Sequence, residues 1–378
     1  MKMRRLLTIM ASLIVLVLVT GCSQEATESA AAAPAPTGAV EATAVDDTGE
    51  TFVADIVRHD YAAHQTRDRV WADYVRSASG GRIVVNELSR DAIASADTDL
   101  LELLRAGEVT MGSIAERGVS DIFPGISALG VPFIIPNAIV AQTMLGHDSP
   151  FFEILAEEIY RGSNGEVRLV GAHVNSFRNF YSRYPVRTPA DLRQYNVTIR
   201  VQELPMIIAV WEALGAAAIG LPAGDRYMAL ETGLIDALEG GLASVYQTGA
   251  FGIIDYATML GYMFSGNYML VNEQWYQSLP PALQQVVRDG WAKAMWMETQ
   301  VREFYDLQEM EALLAEGNTV IVPSEAELAQ WREIAVPTAR EFLEDEIDTS
   351  WIDVVQEHVE RAQTKVAAMS NTIGRQFD

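Results

Sequence analysis

Apolar residues in the first third of the chain follow two periodicities, one typical of strands and one typical of helices. The stretches 51–57 and 82–88 are rich in β-branched residues and predict strands, and a helical repeat at 65–78 lies between them. A helix around 100–104 and a short strand at 109–113 follow. Strands that alternate with helices predict an α/β fold with a largely parallel sheet, in which ligands bind at the carboxyl ends of strands.

A second series of alternating strands and helices begins after residue 166. Its strands are predicted at 167–174, 197–201, 216–221, 235–238 and 265–271, and its helices at 205–214 and 225–231. Two series of this kind are consistent with two lobes in a chain of 378 residues.

One predicted helix is much longer than the others. It begins after Pro280 and Pro281, ends at Gly317-Asn318, and contains only Gly290 as a weak breaker. Its roughly 36 residues would span roughly 54 Å, whereas a small domain is about 30 Å across. The pattern predicts a continuous helix that runs along two lobes, with two helices broken at Gly290 as the alternative.

The first 50 residues predict a targeting sequence followed by a flexible tether. Positive residues precede an apolar run at 6–20, which is typical of a signal peptide at 1–21 and too short for a comfortable membrane span. Val19-Thr20-Gly21-Cys22 resembles a bacterial lipobox, in which lipid is attached to Cys22; a plain signal peptide followed by a chance cysteine is the alternative. Residues 22–50 lack hydrophobic periodicity and predict a flexible tether.

The amino-acid composition argues against several classes of function. The chain has 27 Lys and Arg against 51 Asp and Glu, a net charge of −24, so no nucleic-acid partner is expected. A single cysteine excludes a disulfide framework within the chain, and no metal-ligand spacing or cofactor motif is present. No nucleophile elbow or phosphate loop occurs either, so we expect neither metal, cofactor nor catalytic residues.

Positive charge is concentrated in one stretch. Residues 176–201 hold five arginines and one acid, Asp191, in an otherwise acidic chain. Arg200 ends an apolar strand and Arg178 lies among aromatic residues, which are settings suited to bidentate binding of a carboxylate. The alternative is that these arginines pair with surface acids.

The order of several short motifs resembles the solute-binding proteins of tripartite ATP-independent periplasmic (TRAP) transporters, of the C4-dicarboxylate-receptor-like type. The resemblance covers about 51–322. The similar stretches are Gly80-Gly81-Arg82-Ile83, 103–111 (LLRAGEVTM), 130–133 (GVPF), Phe177-Arg178, 189–192 (PADL), Ile199-Arg200-Val201, 211–215 (WEALG), 227–236 (YMALETGLID), Glu239 and 271–279 (VNEQWYQSL).

The resemblance implies a two-lobed fold, like that of type II periplasmic binding proteins, that closes on a small organic acid. It places the carboxylate-binding arginine at Arg200 and a second family arginine at Arg178. It also implies delivery of the acid to membrane permease subunits, an extracytoplasmic location and no enzymatic activity. We expect lobe I at 51–175 with 264–303 and lobe II at 176–263 with 304–378.

Two positions depart from the family pattern. Ala223 replaces an aromatic residue, and Gly240 follows Glu239 where the family often has asparagine. Both changes remove side-chain volume and predict a ligand bulkier than a simple C4 acid, or one held by different contacts. Further candidate ligand-binding residues are His59, Asp97, Glu116, Phe177 and Trp211. A place in the hydrophobic core is the alternative for the two aromatic residues.

Three other functions stay open at this point. They are a receptor for an ATP-driven importer, a tethered extracytoplasmic hydrolase and a ligand-sensing subunit of a signalling system. A continuous long helix favours the TRAP receptor over the first of these, and no nucleophile–base pair supports the second.

Overall fold

The computed structural model describes residues 49–58, 62–94 and 96–374. His59 and Cys22, for which we predicted roles, lie outside these residues, as do the predicted signal peptide and most of the tether. The strands are β1 Phe52–Arg58, β2 Ile83–Ser89, β3 Met111–Ala115, β4 Val167–Ser182, β5 Thr198–Val201, β6 Ala217–Gly220, β7 Ala237–Gly240, β8 Tyr256–Asn272 and β9 Thr319–Ile321.

Helices cover most of the remaining described chain. They are α1 Ala62–Ala78, α2 Arg90–Ile93, α3 Asp97–Ala106, α4 Glu116–Val119, α5 Ala138–Leu145, α6 Pro150–Gly162, α7 Pro189–Tyr195, α8 Pro205–Leu214, α9 Arg226–Glu231, α10 Leu242–Gln247, α11 Glu273–Ser278, α12 Pro281–Ala315, α13 Glu325–Glu344 and α14 Ser350–Gly374. Within the described part of the chain, none of these helices combines the length and apolar character that a membrane span requires.

The strands form one mixed sheet in the order β2-β1-β3-β8-β4-β7-β5-β6, with β9 beside β8. Strands β1, β2 and β3 are parallel to one another, and so are β5, β6 and β7. The two long strands β4 and β8 join these groups through antiparallel pairing. The sheet is therefore parallel in its two outer groups and antiparallel at its centre, where we predicted a largely parallel sheet.

The register of the central strands brings the ends of the two parallel groups towards each other. Strand β3 ends with Ala115 opposite Asn267 of β8, and β7 ends with Gly240 opposite Asn179 of β4. Phe177 of β4 pairs with Phe264 of β8 between these points. The carboxyl ends of both groups thus converge on the middle of the β4–β8 ribbon, where ligands of α/β sheets bind.

The long helix is confirmed. Helix α12 has 35 residues, a length of roughly 52 Å, and continues through Gly290. A side chain at Gly290 would meet Trp71 at 2.9 Å, so this glycine allows α1 to approach, and Trp71 stacks on Trp291 with ring centroids 4.9 Å apart. The helix packs against α1 near one end of the sheet and against α10 near the other.

The C-terminal helices lie on both sides of the predicted lobe boundary. Helix α13 begins with a capping box in which Ser324 and Glu327 bond to each other's backbone N–H groups, and it packs against α8. Helix α14 packs against α5, which belongs to the predicted lobe I, although we assigned 304–378 to lobe II. The lobe boundaries stay predictions.

Candidate functional site

A buried ion pair lies where the two groups of strands converge. The register of β4 and β7 places Phe180 opposite Glu239, so Arg178, two residues earlier, lies diagonal to Glu239 on the same face. Both Nε and Nη2 of Arg178 donate to the Glu239 carboxylate, the second bond at 2.6 Å. The sheet therefore holds a bidentate arginine–carboxylate pair away from solvent.

Two more donors complete the shell around Glu239. The backbone N–H of Gln202 donates to Oε1 at 3.1 Å, and the Tyr262 hydroxyl donates to Oε2 at 2.9 Å. Trp211 Nε1 donates in turn to the Tyr262 hydroxyl at 3.2 Å. Burial would raise the pKa of Glu239, but the charge of Arg178 and the hydrogen bonds outweigh it and hold the pKa below its ordinary value.

Arg200 lies on β5, the neighbour of β7 in the sheet, and has no carboxylate bound to it among the described residues. It pairs with Leu238 of β7 in the sheet, and its side chain is only 2% exposed. Nε and Nη2 both donate to the backbone oxygen of Leu221, with Nε at 2.8 Å. Nη1 is buried and has no hydrogen-bond partner within the described chain, so this guanidinium keeps an open donor.

Among single charged groups, a third arginine, Arg226, has the largest effect on the pKa of Arg200. Arg226 is buried at the start of α9, and its Nη1 donates to Ser244 Oγ at 2.6 Å. Burial lowers the pKa of Arg200 first, and the positive charge of Arg226 lowers it further, to about 10. The negative charge of Glu239 raises the pKa of Arg200, but by less than Arg226 lowers it. Buried like charges of this kind are typical of a site that receives an anion.

Glu116 faces the same region from the other group of strands. It follows β3 directly, and burial raises its pKa to about 8, with the charge of Arg178 acting in the opposite direction. The carboxyl group is therefore mostly protonated at neutral pH and can donate a hydrogen bond. Burial and, to a smaller extent, Glu116 raise the pKa of the Tyr268 hydroxyl, which has no hydrogen-bond partner within the described residues.

The structure brings some of the other candidates close to this centre and places others further away. Phe177 is partly buried and packs edge to face on Phe264, 6.1 Å between ring centroids. Trp211 is completely buried, so it reaches the centre through Tyr262. Asp97 opens α3 and pairs with Arg90 at 2.7 Å. The roles of all three in ligand binding stay predictions.

The two positions that depart from the family pattern lie at the end of β7 and in the turn after β6. Gly240 ends β7, and a Cβ there would meet only Val245, at 3.3 Å. Ala223 begins the short 3₁₀ turn that links the Leu221 backbone to Arg226.

Three residues of this centre were not predicted from the sequence. Tyr262 was missed because the predicted strand began at 265, whereas β8 begins at Tyr256. Arg226 was read only as part of a helix, and Gln202 contributes a backbone group that composition does not reveal. A signal did exist for Arg226, since it is a basic residue in the helix that follows β6, the strand that pairs with the Arg200 strand.

The chemistry of the centre favours binding an anion. Three guanidinium groups, a protonatable Glu116 and an unbonded Tyr268 hydroxyl supply donors, whereas Glu239 is already bound by Arg178. Within the described residues, no group of three or more His, Cys, Asp or Glu side chains is arranged to hold a metal ion.

Solved structures that share this fold include TRAP periplasmic solute-binding proteins. One from Ochrobactrum anthropi matches with a TM-score of 0.76 at 21% identity, over 84% of this chain and 97% of that one. The sugar acid binding protein from Advenella mimigardefordensis, in complex with galactonate, matches with a TM-score of 0.72 at 20% identity, over 83% and 99% of the two chains. The two-lobed α/β fold is thereby confirmed.

Two relatives in sequence illustrate how much of the chain is shared. The uncharacterized protein y4mM of Sinorhizobium fredii is 26% identical over 204 residues, 54% of this chain but only 36% of that protein. The 2,3-diketo-L-gulonate-binding periplasmic protein YiaO of Escherichia coli is 23% identical over 244 residues, 63% of this chain and 72% of that protein.

The family profile covers most of the described chain. The profile named DctP, bacterial extracellular solute-binding protein, family 7, matches residues 53–346. This range contains both groups of strands, the β4–β8 ribbon, and Arg178, Arg200 and Glu239. The resemblance seen in the sequence is confirmed, and the chain belongs to the bacterial extracellular solute-binding proteins of family 7.

Proposed function

We propose that this protein is an extracytoplasmic receptor that captures a small organic acid and delivers it to the permease subunits of a TRAP-type secondary transporter. The observation that carries the proposal is Arg200, which is buried at a carboxyl-end edge with an open Nη1 donor. A buried guanidinium without a bound carboxylate is costly, and a ligand carboxylate that accepts its hydrogen bonds offsets that cost. The unbroken helix α12 favours a TRAP receptor over a receptor for an ATP-driven importer.

The arrangement suggests how each residue contributes to capture. Arg200 binds the ligand carboxylate, while Arg178, held in place by Glu239, presents positive charge beside it. Glu116 approaches from the other group of strands and donates a hydrogen bond when protonated. His59, Asp97, Phe177 and Trp211 remain candidates for positioning the ligand or these side chains.

Closure of the lobes is proposed to occur at the β4–β8 ribbon. The pairing of these strands shifts register between Val174 and Ser176 and again between Arg178 and Phe180, next to the candidate site. Such bulges interrupt the ladder and allow the strands to bend locally. Hinge closure there would bring Glu116 and the arginines around a bound acid and exclude water.

The named ligands of similar proteins support the class of ligand. They include 2,3-diketo-L-gulonate for the Escherichia coli relative, galactonate for the Advenella mimigardefordensis structure and orotic acid for one from Desulfovibrio salexigens. These three compounds are organic acids larger than a C4 dicarboxylate, whereas a similar structure from Shewanella oneidensis holds succinate.

A carboxylate screen tests the proposed function and the expected size of the ligand. We expect organic acids larger than succinate to raise the melting temperature most, because Ala223 and Gly240 leave side-chain volume unfilled. Isothermal titration calorimetry on the best compounds then gives their affinities. A short dicarboxylate as the tightest ligand would contradict the size prediction. Turnover of a bound acid during long incubation would contradict a receptor and indicate a hydrolase.

The membrane anchor is proposed from the sequence around Cys22. Replacement Cys22→Ser should move the protein from the membrane fraction to the soluble fraction of the cell envelope and abolish incorporation of labelled fatty acid. Serine keeps the size of the side chain but lacks the sulfur to which the lipid is attached. Unchanged fractionation and labelling of Cys22→Ser would exclude lipidation at this residue.

A further inference from the structure

A second cluster of titratable side chains is buried where α1 and α12 pack together beside β4. It contains Arg67, Asp68, His173 and Glu298, each no more than 2% exposed. Arg67 and Asp68 lie on α1, His173 on β4 and Glu298 on α12. The cluster joins three elements that are far apart in the sequence, and the carboxylate-binding site proposed above makes no use of it.

Arg67 is at the centre of this cluster. Its Nε donates to Asp68 Oδ1 at 2.7 Å, and its Nη1 lies 3.2 Å from His173 Nε2 and 3.5 Å from Glu298 Oε2. A guanidinium has five donors and no acceptor, so its contact with His173 is a hydrogen bond only while Nε2 carries no proton. The observed arrangement therefore requires a neutral His173 that accepts from Arg67.

The same nitrogen of His173 also lies beside a carboxylate. Nε2 is 3.4 Å from Glu298 Oε2. When the imidazole takes up a second proton, Nε2 becomes a donor, which attracts Glu298 and repels the Arg67 guanidinium. The hydrogen bond from α1 is then exchanged for one to α12. Histidine ordinarily gains this charge between about pH 8 and pH 5.

The charged surroundings of His173 come from two helices. Among the described residues, α1 contributes Arg67 and Asp68, and α12 contributes Glu298. Asn267, which pairs with His173 from β8, is uncharged, and α5, which also packs on β4, has no charged residue. The charged residues of α6, another neighbour of β4, are exposed or half-exposed. A change of charge on His173 therefore acts first on Arg67 and Glu298.

The position of His173 connects this exchange to the proposed hinge. His173 directly precedes Val174, after which the register of the β4–β8 ribbon shifts. Its partner Asn267 also lies opposite Ala115, the residue before Glu116, so His173 is level with the end of β3. Whatever holds His173 thus holds the ribbon at the edge of the candidate site.

We propose that His173 is a pH-sensitive switch that ties β4 to α1 when neutral and to α12 when protonated, and so lowers the affinity for the organic acid on acidification. Helix α12 packs against α1 at one end of the sheet and against α10 at the other. A charge-assisted bond from β4 to this helix restrains the bending of the ribbon that closure requires. The proposal rests on the proposed function and adds regulation to the same site.

Tryptophan fluorescence tests the exchange of partners without a ligand. Arg67 lies over the Trp291 ring, 6.0 Å from its centroid, so displacement of the guanidinium changes the surroundings of this indole. Between about pH 8 and pH 5 we expect a fluorescence transition in the full chain. His173→Gln should lack it, because glutamine keeps hydrogen bonding but gains no charge.

Two controls make the transition specific. His358→Gln changes another buried histidine, on α14, and should keep the transition, whereas Trp291→Phe removes the reporter and should abolish it. A transition of the same size in His173→Gln would overturn the switch. If circular dichroism shows that His173→Gln does not fold, Glu298→Gln provides the same comparison, since it removes the charged acceptor of Nε2.

Calorimetry tests the link to the candidate site, with galactonate as the probe. The carboxyl group of galactonate stays ionised between about pH 5.5 and pH 7.5. Glu116, whose pKa is raised to about 8, also gains a proton in this range, but its contribution is common to the wild type and the His173→Gln variant. The loss of affinity on acidification should be at least about fivefold larger in the wild type than in His173→Gln.

The outcomes separate the switch from the proposed function. If the fluorescence transition is present but wild type and His173→Gln show the same pH dependence of galactonate affinity, the switch is not linked to the site and the proposal is wrong. If neither galactonate nor any acid of the carboxylate screen binds at either pH, the proposed function fails, while the fluorescence titration still decides whether His173 exchanges partners.

Discussion

Replacing Arg200 with alanine is expected to remove most of the affinity for the organic acid. The carboxylate would enter a buried region without the guanidinium that offsets its desolvation, at a cost on the order of 2–5 kcal/mol. This corresponds to a loss of affinity of roughly 30-fold to several-thousand-fold. Isothermal titration calorimetry with the best acid from the screen measures the effect, and circular dichroism verifies that the variant remains folded.

Two variants make this result specific to position 200. Arg200→Lys keeps the positive charge but not the planar fork of donors, so we expect an affinity between those of wild type and Arg200→Ala. Arg193 lies on the exposed side of α7, and Arg193→Ala should bind like the wild type because it removes an arginine far from the converging strand ends. Wild-type affinity in Arg200→Ala would reject carboxylate binding by this residue.

The alternating strands and helices were predictable because the sequence periodicity that marks each of them is local. Periodicity placed β2, α3 and α12 within a few residues of their observed bounds, and the length of α12 followed from two prolines and a glycine pair. The motif resemblance then singled out Arg178, Arg200 and Glu239. These residues meet in the structure because strands β4, β5 and β7 are neighbours in the sheet.

The extent of the central ribbon could not be predicted in the same way. Strand β4 continues from Val174 through Ser176 and Arg178, a stretch whose polar residues break the apolar run that marked its first half. Strand β8 likewise begins nine residues before its predicted start. Pairing between these distant segments stabilises both extensions, and pairing over so large a sequence separation leaves no local signal.

The shell of Glu239 also depends on such distant contacts. Tyr262 reaches the carboxylate only because β8 extends that far, and Trp211 reaches Tyr262 from α8. From the sequence, Trp211 was a candidate for the wall of the site. The structure places it completely within the core, with a single polar contact towards the centre, to the Tyr262 hydroxyl, and its role in ligand binding stays a prediction. The distinction depends on side-chain direction, which periodicity does not give.

Glu239→Gln is expected to have the largest effect on stability. Glutamine keeps the size of the side chain but removes the charge that compensates Arg178, which would then be a buried cation without its partner. Breaking a buried pair in this way costs on the order of 3–5 kcal/mol of the free energy of unfolding. Urea unfolding followed by tryptophan fluorescence measures the loss.

The double variant Arg178→Met/Glu239→Gln removes both charges and should recover much of that stability, because no buried charge is left unpaired. Glu357→Gln breaks an exposed pair with Arg361 on α14 and should leave the unfolding midpoint almost unchanged.

The pH dependence of stability gives a second measurement of the Glu239–Arg178 pair. Since the folded protein holds the pKa of Glu239 below its ordinary 4.5, this carboxylate contributes stability above that pH and loses it as the pH falls through the lower, folded value. Glu239→Gln should therefore flatten the acid limb of the stability profile. An unchanged acid limb, together with a small loss at neutral pH, would mean that Glu239 does not compensate Arg178 as the ion pair implies.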